Sequence, residues 1–254
     1  MTELDPATRD ALAALILTVA DDELVIGYWD SEWTGIAPML EEDVAMSSVS
    51  QDEIGHAAAL YAMLGELTGR DPDELAYARE PDAFRHAPLL DHPRTDWAFT
   101  IGRRYLYETA DAARLQALAG SSYEPLAQLA AKMRREERYH LMHVDAWLRR
   151  LAAAGGEVRE RLVAALERLG TDALGVLDAP DDEALLLSAG ILPEPMASVR
   201  ARWLERIGGP LGELDLPVPS GGPRPGGRRS HGPDFAWLHG EMTMVSRSEV
   251  GATW

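Results

Sequence analysis

Four long stretches of helical character dominate the chain, at about residues 6–29, 38–67, 95–118 and 124–154. Helices of globular proteins average about 11–12 residues. Helices twice that length need partners of their own kind to bury an apolar stripe from end to end. That requirement points to a helical bundle. The punctuation agrees. Asp5-Pro6 is an N-cap with proline in the first helical position. A break falls at Thr34-Gly35, and Glu41, Glu42 and Asp43 suit the start of the second helix. Gly69, Gly120 and Gly155-Gly156 stand where the second, third and fourth helices stop. Short joints predict two antiparallel hairpins. Between them lies a connector over 70–94, rich in Pro and Asp, with one short helix near 73–78.

Beyond residue 155 the pattern weakens. Shorter helices are expected over 158–169, 182–189 and 195–207. LGELDLPVPSGGPRPGGRRSHGP reads as loop, and a last helix over 234–247 precedes GATW. Nothing alternates with period two long enough to build a sheet. The expectation is an all-α chain of one domain, 1–254, with a bundle core over about 6–155 and a C-terminal helical extension over about 157–254.

Composition narrows the chemistry. The 254 residues contain no cysteine, which excludes disulfides, thiolate catalysis, iron–sulfur clusters and Cys-ligated zinc. A net charge of -18 argues against nucleic acid or an anionic membrane as the main partner. Lys132 is the sole lysine, so a phosphate-gripping P-loop is excluded. No run of 18 or more apolar residues occurs, so no membrane span is expected. The acidic N-terminus lacks the basic start of a secretory signal, and a cytoplasmic location is expected.

Two segments carry chemistry. QDEIGH and EERYH each hold Glu-x-x-His: Glu53 with His56, and Glu137 with His140. Residues three apart share a helix face, so each pair can offer oxygen and nitrogen to one cation. Glu23 lies 30 residues before Glu53, and Glu108 lies 29 before Glu137. Across an antiparallel hairpin that separation brings the two positions level. The first hairpin superposes on the second at a shift of 84 or 85 residues. Four carboxylates and two imidazoles (Glu23, Glu53, His56, Glu108, Glu137 and His140) thus form the ligand pattern of a ferritin-like four-helix bundle holding a dinuclear centre. The fold expected is therefore ferritin-like, with additional C-terminal helices. Hard oxygen donors with two imidazoles suit two iron ions, with manganese or a mixed iron/manganese pair as the alternative. Glu53 and Glu137 are the carboxylates assigned a catalytic part. Asp52 and Glu136, each just before a motif Glu, are expected to accept the free ring N–H of a motif histidine.

At these residues the chain resembles a known family. EWTGIAPMLEEDVAMSSVSQDEIGHAAALYAMLGELTG, DELAYAR, DWAFTIGRRYL, AAKMRREERYHLMHVDAWLRRL and the end HGPDFAWLHGEMTMVSRSEVGATW are similar to the phenylacetyl-CoA epoxidase family, above all to its C-subunit type. The resemblance implies a subunit of a multicomponent oxygenase of phenylacetate breakdown. It implies a homologous ferritin-like catalytic subunit and a reductase as partners, an acyl-CoA thioester as substrate, and a homo- or hetero-oligomeric assembly. In that family the C-type chain typically lacks part of the ligand set and serves as a structural partner. Here all six ligand positions are filled.

Three functions follow as alternatives. The chain is an oxygenase subunit with its own carboxylate-bridged di-iron site for O2 activation on an aromatic-CoA thioester. Or it is a non-catalytic structural partner of the catalytic subunit. Or it resembles the radical and oxidase proteins of the ribonucleotide reductase small-subunit type, with Tyr105 or Tyr139 as redox residue beside the site. Of the remaining histidines, His143 follows His140 by three and reads as a surface or supporting residue rather than a ligand, while His86, His92, His231 and His239 show no ligand spacing.

Overall fold

The computed structural model describes residues 4–222 and 224–248; Trp254 and the rest of the GATW end lie outside the described residues. Among the described residues all regular structure is helical, and the all-α expectation is borne out. The long helices are α1 (Pro6–Ser31), α2 (Leu40–Thr68), α4 (Trp97–Leu118) and α5 (Glu124–Ala154), with the short α3 (Pro72–Tyr77) between the pairs. After them come α6 (Gly156–Ala173), α7 (Glu183–Ser188), α8 (Met196–Glu213) and α9 (Pro233–Ser248). The chain divides into two compact units, one formed by 1–12 and 95–225, the other by 13–94 and 226–254.

In the first unit α4 is the central helix, packed on α5, α6 and α8. Asp96 caps it, its carboxylate accepting from Phe99 N at 2.9 Å. α8 runs past its expected end at residue 207, through Gly208, Gly209 and Pro210. Its apolar stripe explains this. Met196, Val199, Trp203, Ile207 and Leu211 recur at intervals of three and four and are all buried. Burying Leu211 offsets the proline, which removes one helical donor and crowds the carbonyl one turn back. Trp203 anchors the stripe, its indole N–H donating to Thr109 Oγ1 on α4 at 2.9 Å.

In the second unit α1 and α2 approach closely at Gly27. A Cβ there would stand 2.8 Å from Ile54 Cγ1 and 3.2 Å from Glu53 Cβ. The connector is not a loose link. Phe84, His86, Ala87, Leu89 and Leu90 are fully buried. Three polar ties hold it to α1: Arg85 N donates to Asp21 (2.7 Å), Ala87 N to Asp22 (2.6 Å), and the Trp29 indole to Leu90 O (2.8 Å). Those ties satisfy buried backbone that a free loop would leave to water. Asp71 caps α3 through the N–H groups of Asp73 and Glu74. α9 returns to this unit, with Trp237 stacked on Trp29 at 6.0 Å.

Candidate metal centre

The residue types that define the site are costly to bury. A carboxylate inside a protein needs hydrogen bonds, a counter-charge or a cation. α1 carries Glu23 and α2 carries Glu53 and His56, and all three are buried. His56 Nδ1 lies 3.3 Å from Glu23 Oε2 and 3.6 Å from Glu53 Oε2. Glu23 stands one turn before Gly27, so the close approach permitted by that glycine sets Glu23 beside the α2 motif. Burial alone would lower the His56 pKa, but hydrogen bonding and charge from Glu23 and Glu53 push it up to about 12.

α4 and α5 repeat the arrangement in the other unit. Glu108, Glu137 and His140 are buried. His140 Nδ1 lies 3.2 Å from Glu137 Oε2 and 3.8 Å from Glu108 Oε1. Within each triad, one ligand atom of each residue lies within 4.8 Å of the other two. The six expected ligands therefore form two triads of like construction, each with the imidazole Nδ1 turned toward two carboxylates. The donor chemistry, oxygen with one nitrogen, suits iron or manganese. One atom adds weight: Glu108 Oε2 is buried with no hydrogen-bond partner. A buried carboxylate oxygen with an idle lone pair is what a cation ligand looks like without its cation.

The Arg104 guanidinium, buried one turn before Glu108, donates to Glu108 Oε1. Asp52 and Glu136 are half-buried, and the Glu136 carboxylate is 4.0 Å from Lys132 Nζ. Of the two candidate redox tyrosines, Tyr105 is buried, and burial pushes its pKa up to about 12. Tyr139 is 73% exposed and does not flank a buried triad. It follows Arg138 and precedes His140 on α5, and only His140 lies on the inward stripe.

A third cluster escapes a reading of the sequence. His86 Nε2 and His231 Nδ1 lie 2.8 and 3.0 Å from the same Asp91 oxygen, Oδ1, and the two rings stack at 4.0 Å. His231 Nε2 is 3.0 Å from Phe84 O. Burial alone would raise the Asp91 pKa, but the hydrogen bonds from His231 and His86 hold it well below the usual carboxylate range. Burial pushes the His86 imidazole down. The histidines are 145 residues apart, and no local spacing signals the group. Beside it, the basic GGRRSHG stretch is partly committed to the fold, since Arg228 donates to Asp22 at 2.8 and 3.0 Å and to Arg85 O at 2.9 Å.

No helix among the described residues is long and apolar enough to cross a membrane. The chain is 30% identical over 246 residues to the C-type chain of the 1,2-phenylacetyl-CoA epoxidase of Escherichia coli (strain K12), covering 96% of this chain and 99% of that protein. Residues 1–254 match the PaaA_PaaC family, described as "Phenylacetic acid catabolic protein". With kinship over that span, and with the Glu and Glu-x-x-His residues buried in both hairpins, the chain belongs to the phenylacetic acid catabolic protein family.

Proposed function

We propose that this chain is a C-type subunit of a phenylacetyl-CoA epoxidase-type oxygenase that carries a metal site of its own. The observation that supports this best is the pair of buried triads, Glu23/Glu53/His56 and Glu108/Glu137/His140. Each triad would supply two carboxylates and one imidazole to an iron ion, or to manganese. Such ions supply electrons and open positions for dioxygen activation. The chain's own residues do the rest. Glu53 and Glu137, each within its own triad, would balance the charge of a bound ion, His56 and His140 would offer it a ring nitrogen, and the apolar stripes keep water out. The reading places the chain in the cytoplasm with a homologous catalytic subunit, a reductase and an acyl-CoA thioester as partners.

A second reading keeps the family and removes the metal: the chain is a structural partner of the catalytic subunit. The Arg104–Glu108 pair favours it, because a guanidinium already balances one would-be ligand. Metal analysis separates the two. Protein produced with iron or manganese should carry metal that Glu53→Ala removes. Less than about half an atom per chain would favour the structural partner, as would oxygenase turnover unchanged by Glu53→Ala in the assembled complex.

A further inference from the structure

The two triads repeat each other in every ligand, and they differ in the residue one turn before the first glutamate. The shift that lays Glu23 on Glu108 lays Val19 on Arg104. Val19 is a buried aliphatic side chain. Arg104 is a buried cation hydrogen-bonded to Glu108 Oε1. We infer that Arg104 is a resident counter-cation that competes with metal for Glu108, so the Glu108/Glu137/His140 triad is the weaker, displaceable metal position.

The inference deepens the reading that the triads take metal, and it rests on that reading. The chemistry is direct. A guanidinium keeps its proton throughout the accessible pH range, so this charge cannot be titrated away. In a buried site it is poorly screened. A divalent cation arriving at Glu108 would meet a like charge and an oxygen already engaged as acceptor. The other oxygen, Oε2, is buried without a hydrogen bond, so the carboxylate retains one free donor atom toward a metal. Binding is therefore weakened rather than abolished, and full ligation requires Arg104 to release Oε1. At the matching position of the Glu23/Glu53/His56 triad stands Val19, an uncharged side chain with no donor to offer Glu23.

The test uses the full chain and manganese(II) alone as probe, with free ion followed by electron paramagnetic resonance. Arg104→Met should tighten the weaker manganese site at least about tenfold, the effect of removing one charge-assisted hydrogen bond and one like charge. Arg104→Lys keeps the charge and should leave that site weak. In parallel, melting is measured in chelator for Arg104→Met, Glu108→Gln and the double variant. The pairing predicts that the double variant melts above the sum of the two single losses. Additive losses overturn the inference whatever the metal does. A manganese isotherm unaltered by Arg104→Met, yet lost in Glu53→Ala and Glu137→Ala, overturns it and leaves the metal reading standing. No manganese on any variant, with the melting coupling present, overturns the metal reading and with it the competition.

Discussion

Replacing Arg79 by Met should lower the stability of this chain by about 3–5 kcal/mol, the usual effect of removing one partner from a buried ion pair. The Asp21 carboxylate is fully buried in the middle of α1. Arg79 grips it through both terminal nitrogens and stacks its guanidinium on Phe84, 4.0 Å from the ring centroid. The Tyr61 hydroxyl at 2.5 Å and Arg85 N at 2.7 Å would remain as donors to Asp21. Neither brings positive charge, so Arg79→Met leaves a carboxylate dry and uncompensated. For a chain of this length each kcal/mol moves Tm by about 2–4 °C, so the expected fall is about 6–20 °C. Thermal unfolding followed by helical circular dichroism near neutral pH reads it directly. Asp21→Asn combined with Arg79→Met should lose less than the two single losses added, because no charge is then stranded. A Tm within about 2 °C of the unaltered chain would refute the argument. It would show that water reaches Asp21 or that neighbouring groups rearrange to neutralise it.

Further outcomes can be checked alongside. Asp91 accepts from two histidines and has a depressed pKa, so its contribution is present above the unfolded value of about 3.9 and fades as pH falls. Asp91→Asn should therefore melt lower at neutral pH and show a shallower acid-side loss than the parent chain. His56 has the opposite sign. Its raised pKa makes its contribution complete below the unfolded value of about 6.5 and lost as pH climbs toward about 12. In metal-free protein its ring should titrate far above neutrality by nuclear magnetic resonance, and Glu23→Gln should bring that titration down. Leu211→Ala, which opens a cavity where a fully buried side chain stood, should cost about 2–5 kcal/mol in denaturant unfolding. A negligible loss would mean that the α8 extension past Pro210 contributes no packing.

The helices are largely legible because their signals are local. The Asp5-Pro6 start, the glycine stops and the apolar periodicity place the ends of α1, α2, α4 and α5 within a few residues. The end of α8 is misread from sequence because Gly-Gly-Pro is a strong local stop, whereas burial of Leu211 is decided by what lies opposite. Each Glu-x-x-His is legible too, since three residues of separation share a helix face before any tertiary contact forms. The arginine one turn before Glu108 stands in plain sight at the same kind of interval. Its meaning depends on burial, because an exposed Arg–Glu pair of that spacing is commonplace and worth little.

The amino-acid order alone determined the helical class, the extents of the long helices and the two ligand-bearing motifs, because each depends on neighbours within a few turns. Tertiary structure alone decided that the connector is strapped to α1, and that Arg228 serves Asp22 from more than 200 residues away. It alone also stacked His86 on His231 about one aspartate. Those contacts join positions whose separation has no period. They form only where the chain's path brings buried charges within reach of a partner, and the low dielectric there makes leaving them unpaired costly.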